Sequence, residues 1–271
     1  MLTPYEYYPI EVSLDEIERE EYIKITKQIG KYISSFDKSK KLPDNVEMLL
    51  IKRARIVASA SDKLVKLKEI MSEYKTLNHI LVYCGATTIR DPGYTEGDPE
   101  GNEIKQIDAV TQMLGKDLSM SVSQFTSKES NADRLVLKKE FDTGESLQAL
   151  VAIRCLDEGV NIPSIKYAFI LSSSTNPKEY VQRRGRVLRK FPGKDKAIIY
   201  DFVIDPILDC EMGNVSMDCI NSMKSLVKKE IIRMRDFAEI SENPASVDML
   251  VKKLTDKYGV DIYEEDDVYD L

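Results

Sequence analysis

Leu150-Val-Ala-Ile-Arg154-Cys-Leu-Asp-Glu158-Gly159-Val-Asn161-Ile-Pro163-Ser-Ile-Lys-Tyr167-Ala-Phe-Ile-Leu171 decides the fold of this chain. It reads as a short apolar strand, a polar turn ending in Gly-x-Asn-x-Pro, and a second apolar strand. Strands that are apolar at consecutive rather than alternate positions are buried on both faces, as in parallel sheets covered by helices. The same texture recurs outward from this stretch. Strands are predicted at Ile80–Cys84, Met120–Phe125, Gln148–Arg154, Tyr167–Leu171 and Lys196–Val203. Helices are predicted between them at Asp62–Tyr74, Ile104–Leu114 and Lys128–Phe141, the last with Leu135 and Leu137 buried and Arg134 on another face. Ala86–Asn102, rich in Gly, Pro, Asp and Thr, reads as an inserted loop. Sheets of this kind place ligands at the carboxyl ends of their strands, where Gly85, Thr126, Arg154 and Ser172 would emerge.

Downstream lies Tyr180-Val-Gln182-Arg183-Arg184-Gly185-Arg186-Val-Leu-Arg189. Arginine stays charged and presents a planar fork of donors that fits phosphate oxygens. If the run is helical, Gln182, Arg186 and Arg189 fall at i, i+4 and i+7 and share one face. A solvated basic helix is the bland alternative.

The two stretches together resemble motifs V and VI of superfamily 2 helicases and translocases. The branch is the one with "EG-[VL]-[DN]-IP" followed by "Q-R-x-G-R-x-x-R", seen in DNA-repair helicases and restriction-enzyme motor subunits. Ile80-Leu-Val-Tyr-Cys-Gly85 resembles motif IV. Phe125-Thr126-Ser127, with Arg134 and Phe141, resembles the segment between motifs IV and V. The resemblance spans roughly residues 60 to 205 in the family's order.

It implies the second of two RecA-like lobes: an α/β fold with a mostly parallel sheet, helices on both faces and helical extensions at both ends. By the same resemblance Arg186 and Arg189 are arginine fingers directed at the γ-phosphate, and Gln182 links that phosphate to the other lobe. Gly159 and Asn161 correspond to positions near the ribose and phosphates; the family usually has Asp where this chain has Asn161. Arg183 either joins the ATP-binding set or pairs with an acid on its own lobe. Gly85, Thr126 and Ser127 match positions that hold nucleic-acid backbone phosphates, and contacts of that kind track a strand without reading its sequence. For Thr126 and Ser127 the alternative is capping of the following helix. Arg154 is either a further phosphate contact or a partner of Asp157 or Glu158.

The phosphate loop and the metal-binding acid pair belong to the first lobe in that family, and neither is found here. Gly115-Lys116 and Gly193-Lys194 lack the preceding glycine and the following hydroxyl of Gly-x-x-x-x-Gly-Lys-[Ser/Thr]. Asp15-Glu16-Ile-Glu18 imitates an acid box but sits at a helix start. The expectation is half of an ATPase, with ATP and Mg bound only in the complete motor and neither held tightly by this chain alone. Its partners would be an N-terminal RecA-like lobe, on the same or a separate polypeptide, and DNA. A duplex translocase of a restriction or defence system, without strand separation, is a rival within the class. A nonenzymatic binding module is a rival outside it, and Gln182, Arg186 and Arg189 count against that. An unrelated, complete phosphate-handling enzyme would need a phosphate loop, metal cluster or nucleophile that the chain lacks.

The rest of the 271 residues is consistent with a globular protein, 42% hydrophobic and 31% charged. No apolar run approaches the roughly 18 residues of a membrane span, and no signal-peptide pattern opens the chain, so a reducing cytoplasm is expected. Cys84, Cys155, Cys210 and Cys219 are scattered and read as free thiols, with no metal site. His79, the sole histidine, is expected at the surface or as a cap. The net charge of −7 is uneven: basic over Arg183–Lys196, acidic over Asp261–Asp267. Residues 1–60 are predicted as an extension and inter-lobe linker, with a strand near Tyr7–Val12, a capping box at Ser13–Glu16 and two helices. Residues 61–206 form the RecA-like domain, and residues 207–271 a helical extension with an acidic tail.

Overall fold

The computed structural model describes residues 2–33, 43–90, 103–153, 161–173 and 177–263. The chain runs β1 (Tyr5–Val12), α1 (Glu16–Ile33), α2 (Asp44–Ser59), α3 (Asp62–Tyr74), β2 (Ile80–Cys84), β3 (Thr88–Arg90), β4 (Glu103–Lys105) and α4 (Gln106–Gln112). It continues through β5 (Val122–Phe125), α5 (Asn131–Thr143), β6 (Ala149–Ile153), β7 (Tyr167–Ile170), α6 (Pro177–Val187), β8 (Ala197–Ile204), α7 (Met217–Ala238) and α8 (Asp248–Tyr258).

Six strands form one parallel sheet in the order β1-β8-β7-β2-β6-β5. All five residues of β2 are buried, as its unbroken apolar run requires. The steps β1→β2 and β2→β5 cross the sheet in one direction; β5→β6 and β7→β8 cross it in the other. Right-handed crossovers therefore place α3 and α4 on one face and α5 and α6 on the opposite face. Neighbouring β2 and β7 send their chains to opposite faces, and such a switch point opens a crevice at the carboxyl ends of the strands.

Several expectations are corrected. The strand near residue 7 is no appendage: β1 pairs in register with β8, from Tyr5–Ala197 to Val12–Ile204, and Tyr5, Tyr7 and Val12 belong to the same core as the other strands. The capping box lies two residues later than predicted. Asp15 N donates to Glu18 Oε2 (3.0 Å) and Glu18 N to Asp15 Oδ1 (2.8 Å), while Ser13 turns away and donates to Asp62. The inserted loop is closed at its base by the antiparallel pair β3–β4, with its tip outside the described residues.

Helix α5 begins at Asn131 rather than Lys128. Its phase is set by the buried Phe141 and by Leu137 one turn earlier, so Leu135 points outward, 69% exposed rather than buried. His79 neither caps nor lies free on the surface. It adopts φ +63°, and its ring packs edge-on against Phe141 at 5.7 Å; burial lowers its pKa. Cys84 is a buried thiol whose pKa burial pushes up, and neither it nor Cys219 is in a disulfide.

Candidate inter-lobe and nucleic-acid face

Helix α6 carries most of the Arg-rich decamer. Tyr180, Arg183, Arg184 and Val187 follow the i, i+3, i+4, i+7 spacing of an inward stripe, and the first three anchor the helix through polar or ring contacts. The Tyr180 hydroxyl donates to Asp236 of α7, and Arg184 Nη1 donates to the Asp236 carbonyl (2.6 Å) with its guanidinium over Phe237. Arg183 is only 7% exposed. Its guanidinium lies 4.5 Å from the centre of the Tyr83 ring on β2, and it pairs with Glu179 at 3.6 Å. Of the two roles open to Arg183, this geometry supports pairing within its own lobe.

With that stripe turned inward, Gln182 and Arg186, one turn apart, fall on the other side of the helix; Gln182 is exposed and Arg186 half-buried. The helix stops at Val187, so Arg189 does not continue that face as predicted but stands in the segment just beyond it. Thr3 holds this segment from the N-terminus: its N–H donates to the Leu188 carbonyl (2.7 Å) and its hydroxyl to the Arg189 carbonyl (3.2 Å). Lys194 holds it from the other side, donating to the carbonyls of Val187 (2.5 Å), Arg189 (3.2 Å) and Pro163 (3.1 Å). A lysine on the last carbonyls is a C-terminal cap. Burial draws the Lys194 pKa down to about 8. The sequence offered no signal for Lys194, because its partners are backbone carbonyls.

At the carboxyl ends of the strands, Gly85 follows β2 and Thr126 follows β5. The Gly85 N–H is satisfied internally by Gln106 Oε1 (2.8 Å), whose Nε2 donates onward to the Ala58 carbonyl (2.8 Å). Gln106 is buried and was not foreseen. The Thr126 hydroxyl donates to Glu129 (2.9 Å) and accepts from the Lys128 N–H (3.1 Å). Arg134 Nη2 donates to the Thr126 carbonyl (2.6 Å). Thr126 thus secures the turn before α5, whereas the helix cap itself is Ser130, which accepts from Asp133 N. Ser127 is exposed beside it, and Asn161 is exposed just ahead of the buried Ile162. Arg154 and Gly159 lie outside the described residues.

Among the described residues no group of His, Cys, Asp and Glu is placed to hold a metal ion, and no helix is long and apolar enough to cross a membrane.

A parallel sheet with a switch point, backed by helices, with an Arg-bearing helix between β7 and β8, defines a RecA-like lobe. Comparison places that lobe: residues 62–191 match the helicase conserved C-terminal domain, and the fold is that of a RecA-like helicase C-terminal lobe. Two curated relatives are a DNA 3′–5′ translocase XPB2 of Sulfurisphaera tokodaii and a putative helicase 22 of Sulfolobus islandicus filamentous virus. The first is 26% identical over 229 residues, covering 78% of this chain and 46% of the relative. The second is 28% identical over 101 residues, covering 37% of this chain and 18% of the relative. The chain thus spans less than half the length of either. Among solved structures, the Sulfolobus solfataricus SWI2/SNF2 ATPase C-terminal domain superposes with a TM-score of 0.50 at 12% identity, covering 88% of this chain and 98% of that one. At that identity the likeness concerns the fold.

Proposed function

We propose that this chain is the second motor lobe of an ATP-dependent DNA helicase or translocase. In this reading Arg186 and Arg189 act as arginine fingers and Gln182 as the γ-phosphate link. The supporting observation is the docking of α6, in which Tyr180, Arg183 and Arg184 tie the helix to its own lobe and Gln182 and Arg186 fall on the other side. Guanidinium groups held on an anchored helix offer fixed positive charge to a transferring phosphoryl group without reorganising during reaction. Asn161 adds a neutral hydrogen-bonding group for a ribose or phosphate, and Gly159 shares that assignment. ATP and Mg would be cradled by a partner lobe carrying the phosphate loop; the residues present here fit the far side of the γ-phosphate. DNA as the track is supported by the named function of the XPB2 relative. Ser127, with Gly85 and Thr126, borders the strand ends assigned to it, and Arg154 shares that assignment by the resemblance.

Phosphate release should be followed with and without DNA for this chain alone, for the two-lobed motor, and for that motor carrying Arg186→Ala or Arg189→Ala. The chain alone is expected to turn over no ATP. Each substitution should lower DNA-stimulated hydrolysis on the order of a thousandfold and leave DNA affinity unchanged. Loss of DNA binding with intact turnover would instead make α6 a nucleic-acid patch.

A further inference from the structure

Lys194 sits where the two stretches assigned to nucleotide come together. Phe191-Pro192-Gly193-Lys194 is a tight turn: the Lys194 N–H donates to the Phe191 carbonyl (3.1 Å), and Gly193 takes φ +74°. Proline second and glycine third, the glycine left-handed, is the pattern of a type II turn. The turn folds the chain back, so that the Lys194 side chain, 6% exposed, runs beneath the end of α6. Its ammonium donates there to the carbonyls of Val187, Pro163 and Arg189. Pro163 closes the stretch that begins with Asn161, and Arg189 follows the last turn of α6. A single nitrogen thus bonds both.

The protonation state of that nitrogen decides how many bonds it can make. An ammonium has three N–H donors and no acceptor, and three carbonyls use them all. A neutral amine keeps two donors and a lone pair, so one carbonyl would be left unsatisfied in a buried place. The bond to Val187 is the shortest at 2.5 Å, and those to Pro163 (3.1 Å) and Arg189 (3.2 Å) are the ones to give way. Burial and the like charge of Lys166 draw the Lys194 pKa down to about 8, so the change from three donors to two falls just above neutral pH. The other charged or titratable groups around it are His79, whose pKa burial lowers, and Asp142, which accepts from the Ser164 hydroxyl beside Pro163. On its own turn Lys190 and Asp195 are exposed. Thr3, which holds the Arg189 carbonyl from the other side, does so with a hydroxyl that does not titrate.

We propose that Lys194 is a positioning residue for Arg189: its charged ammonium fixes the segment carrying that arginine against the turn carrying Asn161, and loss of the proton releases it. The inference rests on the reading of Arg189 as an arginine finger. Lys194 touches no nucleotide in this scheme and acts through Arg189 alone. It gives hydrolysis by the motor an alkaline limit, since guanidinium groups keep their charge throughout that range.

Two measurements test this. The first follows trypsin cleavage after Arg189 or Lys190 in this chain alone, scored by mass and normalised at each pH to cleavage of a free peptide. Cleavage tracks the released population, so it should be roughly tenfold faster at pH 9 than at pH 7, the ratio of neutral amine for a pKa of about 8. Lys194→Met should be cut rapidly at both. The second is DNA-stimulated hydrolysis by the two-lobed motor at saturating ATP. Its kcat should fall through the same window, and Lys194→Met should lower kcat roughly tenfold to a hundredfold at pH 7. The KM for ATP should stay within about twofold, because the finger acts on the transition state. Lys63 also titrates near pH 8 and is intact in this variant. An alkaline fall in kcat that survives in Lys194→Met therefore overturns the proposal. Equal cleavage of the unaltered chain at the two pH values overturns it as well, as does unaltered kcat in Lys194→Met when Arg189→Ala is inactive. If Lys194→Met melts early, the cleavage series on the unaltered chain decides. Normal turnover by Arg189→Ala would instead sink the finger reading, whatever the cleavage shows.

Discussion

Lys63 shows how a single residue can carry a cost that its surroundings only partly offset. Its ammonium is buried at the end of the sheet between two carbonyls, and burial holds its pKa at about 8 against an ordinary 10.5. The unfolded chain therefore binds this proton more tightly than the folded one. Between about pH 8 and 10.5 the unfolded state carries more protons, so stability contributed by this site rises with pH through that window. Chemical denaturation at pH 7.5 and pH 9 should show the unaltered protein gaining about 1 kcal/mol relative to Lys63→Met. A gap independent of pH would mean that the amine is charged throughout. Arg183 is a second residue whose environment redefines it: one of four arginines in the decamer, it lies buried over the Tyr83 ring of the sheet rather than at the outer face.

At the scale of elements, the turn between β5 and α5 divides two adjacent hydroxyls between two tasks. Thr126 is tied to Glu129 and Lys128 and holds the approach to α5, whereas Ser127 is exposed. Thr126→Ala should cost about 1 kcal/mol, as loss of a helix-start hydrogen bond does, with little change in DNA affinity. Ser127→Ala should leave stability within about 0.5 kcal/mol and weaken DNA binding uniformly across sequences. Urea melts and DNA titrations of the two single variants test this assignment. A DNA defect confined to Thr126→Ala would reverse it. Helix α6 follows the same logic on a larger scale, since its inward stripe determines where its outward residues stand.

Across the whole molecule, the extensions are built into the lobe. Arg233 of α7 donates to Asp201 on β8 (2.9 Å) and to Glu230 (2.5 and 2.8 Å). Tyr7 of β1 donates to the same Asp201 oxygen (2.9 Å), and Glu230 accepts from Ile204 N (2.9 Å). Thr3, just ahead of β1, reaches the Arg189 carbonyl beyond the end of α6. Removing one partner of a buried ion cluster leaves the remaining charges uncompensated. Arg233→Met should therefore lower the unfolding free energy by about 3–5 kcal/mol in urea titration. A loss under about 1 kcal/mol would show that the cluster behaves as a surface pair and that the extensions dock loosely.

The order of strands and helices and the Arg-rich segment were legible in the sequence because they rest on local pattern. Unbroken apolar runs such as Ile80–Cys84 mean burial on both faces, and the bounds of α3 were read correctly from periodicity alone. The sequence left the arginines of the decamer unresolved, because a spacing argument cannot say which face of a helix meets the core. That was decided by Tyr83, Asp236 and Phe237, which arrive from distant parts of the chain. Tertiary structure alone brought β1 into the sheet beside β8, some 190 residues away, and placed Gln106 on the Gly85 amide and Lys194 beneath the end of α6. Each of these is a long-range pairing or a side chain bonded to backbone, and backbone carries no residue identity for a motif to record.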